Sequence, residues 1–239
     1  MKTSTLILLA AFTISPLMLQ GQAKAASTDN NSTDGVSKIE KGEKPSESPG
    51  WLVLEEDWFY PLRFEPYYSL DSIRYHYRRK EERAAANKIE SAVSWLKLAA
   101  GHAMPFTKQK LEAAAADLSL LADDLREGDV ISAARLDDLL ARSAHALSEW
   151  HYYKAKEEWG KNETQDAGAD LQLAAQYLQH AANSARYQFG PDTVKVVTTL
   201  YDHGQATSEQ THFDHNTLGM HLQSIEKGLQ ELGDAISKK

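Results

Sequence analysis

The chain has no cysteine among its 239 residues, which excludes disulfides, Cys nucleophiles, thiolate metal sites, iron–sulfur clusters and covalent CxxCH haem attachment. Glycine and proline are sparse, at 13 and 7 residues, so the bulk of the chain is neither collagen-like nor low-complexity. Long apolar runs are scarce as well. The one sustained run, Leu6–Leu19, is broken by Ser15 and Pro16 and falls short of a span of about 20 residues, so an integral membrane protein is not expected. Basic residues are outnumbered, 26 Lys and Arg against 34 Asp and Glu, and a net charge of −8 disfavours nucleic acid as a partner.

What is present begins with an export signal. Lys2, the apolar run and the Ala23-Lys24-Ala25 sequence fit a secretory peptide over residues 1–25, with cleavage after Ala25 and a periplasmic or secreted product. Cleavage would remove two lysines and no acids, making the mature chain more acidic still. Residues 26–50 are mostly Ser, Asp, Asn, Gly, Lys, Glu and Pro, too polar to offset the entropy of ordering, and read as a flexible linker. Residues 51–69 then form an aromatic arm. Nine of the 21 aromatics fall between Trp51 and Tyr77, while Pro61 and Pro66 forbid one continuous helix, so an irregular arm is expected, with a short strand at Leu52–Leu54.

From residue 70 to 239 the spacing of apolar residues predicts an all-α antiparallel bundle of about six helices. The first, capped by Ser69 or Asp71, is expected to run to Gly101 on a stripe of Ala85, Ile89, Ala92, Val93, Leu96 and Ala100. Thr107 is the expected cap of the second, which carries Leu111, Ala114, Ala115, Leu118, Leu121, Ala122 and Leu125 up to the Glu127-Gly128-Asp129 stop. The third spans about Ile131 to Trp159 on Leu136, Leu140, Ser143, Leu147 and Trp150. Asn162 and Gln165 form a candidate capping box for a fourth, which carries Leu171, Ala174, Ala175 and Leu178 towards Gly190-Pro191. A fifth, shorter helix holds Val194, Val197 and Tyr201. The last starts after Asn216 and has the cleanest stripe: Leu218, Leu222, Ile225, Leu229, Leu232 and Ile236.

Sliding the chain by 82 residues aligns these stripes without a gap: Ile89 on Leu171, Leu96 on Leu178, Leu118 on Leu200, Leu136 on Leu218 and Leu147 on Leu229. Two tandem three-helix units, 70–160 and 161–239, follow as an expectation. Where the first unit continues its middle helix through Leu121 and Leu125, the second has His203-Gly204 and a polar stretch. A loop replaces helix there, and loops on a rigid scaffold often carry sites.

That stretch holds the sharpest cluster in the chain. His203, His212, Asp214, His215 and His221 lie within 19 residues, and imidazoles with a carboxylate suit a divalent transition metal in a protein without thiols. The spacing matches no zincin or di-iron signature. The remaining histidines are scattered. By helical phase His145 points away from its stripe and pairs with Glu149 on the surface, His180 lies off the main stripe, and His151 is the better interior candidate. Asp123-Asp124 and Asp137-Asp138 read as solvated acidic faces. No GxSxG, P-loop, GxGxxG or SxxK pattern occurs in a usable context, so an enzyme is not the expectation.

The aromatic arm supports a different function. Trp51, Trp58, Tyr60, Tyr67 and Tyr68, with Arg63, Arg74, Arg78, Arg79 and Arg83 nearby, suit stacking and cation–π recognition of a protein or similar ligand. A non-enzymatic binding or assembly protein of the bacterial envelope is therefore expected first, and a periplasmic metal-binding protein using the 203–221 cluster second.

Overall fold

The computed structural model describes residues 68–205 and 213–238, with the backbone alone for 202–205. The export signal, the linker and residues 51–67 of the arm lie outside the described residues. All regular structure among the described residues is helical: α1 (68–78), α2 (Glu82–His102), α3 (Pro105–Glu127), α4 (Ala133–Gly160), α5 (Thr164–Ala185), α6 (Pro191–Gln205) and α7 (His215–Ser237). None of these helices is long and apolar enough to cross a membrane.

There is one helix more than expected because the first is broken. Lys80 takes a left-handed φ of 59°, and the chain reverses between α1 and α2 without glycine or proline. Glu81 holds the break: its amide donates to His76 O at 3.0 Å, while its carboxylate meets His76 Nδ1 at 2.6 Å and Arg79 Nε at 2.8 Å. Beyond it, Leu70 and Ile73 are fully buried and Arg74 bonds Asp137 of α4 and Ser184 of α5. Tertiary packing thus outweighs the roughly 1 kcal/mol cost of a left-handed non-glycine residue. Ser69 and Asp71, expected as caps, already lie inside α1.

Three other boundaries differ from expectation. α3 is entered through Met104 with Pro105 at its first position, where the missing N–H costs nothing, and Thr107 instead donates its hydroxyl back to Met104 O. Asn162 does not cap α5. It adopts a φ of 67° and helps end α4, leaving Glu163 at the start of α5 with no side-chain cap bond. Arg186, also left-handed, ends α5 before Gly190. By contrast Gly128, at a φ of 83°, ends α3 where the sequence places a stop, and Ser132 and Asp214 cap α4 and α7 by accepting from Arg135 N and Thr217 N.

α2 packs on α3, α3 on α4, and α4 on both α5 and α7; α6 packs on α5 and α7. Cross-helix pairs fix the directions. Phe106–Tyr153 and Lys110–Glu149 run antiparallel between α3 and α4, Ser148–Ala174 and His151–Asp170 antiparallel between α4 and α5, and Trp159–His215 with His145–Leu229 antiparallel between α4 and α7. Every stripe residue named above for α2, α3 and α7 is buried. α4 is the hub, covered by three neighbouring helices. In the 82-residue alignment α6 stands opposite α3 but has 15 residues against 23, ending one residue after the His203-Gly204 break.

Candidate functional site

The 203–221 cluster is only partly within the described residues. His203 sits in the last turn of α6 with its side chain outside them, as is His212. Asp214 is exposed and engaged as a cap: Thr217 donates to it through both its amide and its hydroxyl, each at 2.8 Å, and these bonds hold the carboxyl below the usual carboxylate range. His215 lies flat on Trp159, ring centres 4.7 Å apart, and its carbonyl accepts from the Trp159 indole at 2.9 Å. His221 follows on α7. No group of three or more His, Asp or Glu positioned to hold a metal occurs among the described residues. Of the arm, Trp51, Trp58, Tyr60 and Tyr67 lie outside the described residues, and Tyr68 is an exposed residue at the described start of α1. Arg79 stands over the Tyr75 ring of the same helix end at 5.3 Å, whereas Arg74 is turned inward to Asp137.

One histidine expected outside, His145, is inside, and His180, which lies off the main stripe, is buried as well. His145 is buried, and its Nε2 must carry hydrogen because it meets a carbonyl, Leu229 O, at 2.9 Å. Its phase away from the Leu136 stripe is as reasoned, but α7 covers that side of α4. His180 is buried beneath α1, and burial with the nearby Arg74 charge pushes its imidazole down to about 4. Asp137 and Asp138 are likewise no plain solvated face. Asp137 binds Arg74 and Arg186, and Asp138 pairs with Arg142 while its Oδ1 is buried without a partner. Asp123 fits the expectation better, being 66% exposed.

Between α4 and α5 lies a buried polar cluster that the apolar stripes give no hint of. His151, as expected, faces inward; its Nδ1 meets Asp170 Oδ1 at 2.6 Å, and its ring stacks on Tyr177 with centres 5.6 Å apart. Lys154 holds the other Asp170 oxygen at 3.0 Å. One turn further, Glu158 is 1% exposed, and its Oε2 receives no hydrogen bond. Burial pushes the Asp170 carboxyl up, but Lys154 and His151 outweigh it and hold the group well below the usual range. Glu158 goes the other way: burial first, then the Asp170 charge, push it up to about 9. A His–Asp pair invites comparison with a hydrolytic dyad. The nearby Ser148, however, donates its hydroxyl to Ala174 O at 2.6 Å rather than to His151.

A concave feature of the described surface lies elsewhere. α3 and α7 stand on either side of α4 and leave a groove of about 610 Å³ lined by Ala114 and Asp117, His145 and Ala146, and Leu229 and Gly233. Gly233 eases the close approach, since a Cβ there would stand 3.3 Å from His145 Nε2 and the ring would have to give by a few tenths of an ångström. At the rim Lys110 grips both Glu149 oxygens at 2.7 and 2.8 Å, and beyond it Phe106 meets Tyr153 edge-on at 4.4 Å. Asp117 and Asp234, on the two walls, make no ion pair with any of the described residues. Small apolar residues lie on the floor, and of the charged groups on the walls Lys110 and Arg142 are engaged by Glu149 and Asp138 while Asp117 and Asp234 are left over.

The chain matches no protein-family description, no curated protein and no solved structure.

Proposed function

We propose that the chain is an exported, non-enzymatic binding or assembly protein of the bacterial envelope that holds a protein ligand in the α3–α4–α7 groove. The observation carrying this reading is the groove itself, an open trough floored by Ala114, Ala146 and Leu229 with unpaired Asp117 and Asp234 on its walls. Such a surface suits an amphipathic helical segment that lays its apolar face on the floor and directs Lys or Arg at the walls. The net charge of −8 favours the same partner sign at long range. The export part rests on the pattern of residues 1–25.

The test uses a synthetic amphipathic Leu/Lys helical peptide and its Leu/Glu counterpart, with binding followed by NMR shifts of the labelled protein. The Leu/Lys peptide should shift groove residues selectively and the Leu/Glu peptide should not. Ala113→Trp, at an exposed position lining the trough, should fill it and weaken binding at least about tenfold, or about 1.4 kcal/mol. No binding of the basic peptide, or binding indifferent to Ala113→Trp, would sink the proposal.

A further inference from the structure

A carboxyl oxygen that ends in the interior without a donor is costly unless its group keeps its proton, and Glu158, whose Oε2 is such an atom and whose side chain hydrogen-bonds the Asp170 carboxylate, is in that position. Its surroundings decide what losing that proton would do. From α5 it faces the carboxylates of Asp170 and Asp166, and from α4 the ammonium of Lys154, already committed to Asp170 at 3.0 Å. His151 lies on the far side of Asp170, bonded to it. α7 faces this part of α4 with Glu226, paired to Lys156 at 3.1 Å, and with His215, stacked on Trp159. Among the described residues the cation acting on Glu158 is thus shared with Asp170, and an ionised Glu158 would stand against two acids in a buried seam.

The same end of the seam holds two anchors of the chain leading into α7. Trp159, next to Glu158, donates to His215 O and lies under its ring. Gly168, two residues before Asp170, lets Phe213 sit directly on α5, where a Cβ would meet the ring at 2.1 Å. Both anchors depend on the ends of α4 and α5 staying together.

We infer that the α4–α5 seam is a proton-operated latch: with Glu158 protonated the hairpin end is closed on Trp159 and Phe213, and loss of that proton loosens this end. The direction of Glu158's shift supports the same behaviour. The folded chain holds one more proton than the unfolded chain between the ordinary value of 4.5 and about 9, so closure weakens as pH rises through that window.

The experiment compares the full chain with Glu158→Gln, which keeps shape and removes the titration. Unfolding constants of both are measured from pH 5 to 10, and hydrogen exchange of the segment 155–172 is followed at pH 6 and 9, corrected for intrinsic rates. The ratio of wild-type to variant unfolding constants should rise about tenfold per pH unit up to about pH 9, and segment 155–172 should lose protection in the wild type alone. A ratio independent of pH, or equal loss of protection in both chains, overturns the latch. Should Glu158→Gln fail to fold, infrared spectra of the wild type decide. A protonated carboxyl band at pH 7 that disappears near pH 9 supports it, and no such band at pH 7 overturns it.

Discussion

The two helical hairpins α2–α3 and α4–α5 are built from similar stretches of alanine and leucine, yet their interiors differ in kind. The buried residues of α2 are all Ala, Ile, Val or Leu, and α3 adds only Thr107, satisfied by its own turn. α4 and α5 bury Ser143, His145, Ser148, His151, Glu158, Asp170, Gln172, Gln176, His180 and Ser184. Position explains the difference. The outer hairpin has one covered face, which its stripe fills, whereas the central hairpin is covered by α1, α3, α6 and α7 and must bury what lies behind its stripe as well. Polar groups there cost desolvation; Ser148 on Ala174 O and His151 and Lys154 on Asp170 recover it across the seam and tie α4 to α5 in one register, whereas Glu158 Oε2 does not.

The largest expected effect tests that dependence. Asp170→Ala would strand Lys154 and His151 in the seam and should destabilise the chain by about 3–5 kcal/mol, read from urea denaturation. Leu96→Ala in the outer hairpin should cost about 2–5 kcal/mol, but through a cavity. The two mechanisms separate in second-site variants. Lys154→Met should recover part of the Asp170→Ala loss and nothing of the Leu96→Ala loss. Equal behaviour of both in the Lys154→Met background would erase the contrast.

Next in size is an acid sensitivity confined to the central hairpin. Burial, with help from Arg74, lowers His180 to about 4 from its ordinary 6.5. Between those values the unfolded chain binds a proton that the folded chain refuses, so stability present above pH 6.5 is lost as pH falls. The loss attributable to His180 approaches about 3 kcal/mol at pH 4. His180→Leu should lose correspondingly less between pH 7 and 4 in denaturation midpoints, and an unchanged loss would show that the imidazole is not the group responsible. Asp170, held low, adds its own loss only below its ordinary value of 3.8. Glu158 acts in the opposite sense, stabilising as pH falls from about 9 towards 4.5, so it offsets part of the His180 loss in wild type and the comparison with His180→Leu is what isolates the imidazole.

Why the outer hairpin was legible and the central one less so follows from the same geometry. Hydrophobic periodicity reports one apolar face, and α2, α3 and α7 have one, so their core residues and the all-α class could be read directly. For His145 the phase was right and the inference wrong, because a direction opposite the stripe means solvent only when nothing else packs there. The break at Lys80 and the end of α5 at Arg186 carry neither glycine nor proline; both are left-handed turns imposed by tertiary contacts. The signal that could have found the seam is the i, i+3, i+7 spacing of His151, Lys154 and Glu158, which sets three titratable groups along one side of α4. Asp170, on the next helix, completes the cluster only through the fold.

The smallest effect isolates burial itself, because lysine–carboxylate pairs of similar length occur in different surroundings, and two of them differ sharply. Lys154–Asp170 spans 3.0 Å with both side chains about nine-tenths buried, at 12% and 11% exposure. Lys110–Glu149 spans 2.7 Å at the groove rim, and its lysine is 54% exposed. Distance alone would rank the rim pair higher. Solvent reverses the order, since the exposed ammonium gains little by leaving water and is screened by salt. A double-mutant cycle on Lys110 and Glu149 should give a coupling below about 1 kcal/mol that shrinks further in 0.5 M salt, while the seam pair keeps most of its coupling. Equal couplings, or equal salt dependence, would mean that the two environments are not electrostatically distinct. A weak rim pair also bears on binding: a basic ligand can take Glu149 from Lys110 at small cost, so the rim is free to rearrange around a partner while the seam that positions α4 is not.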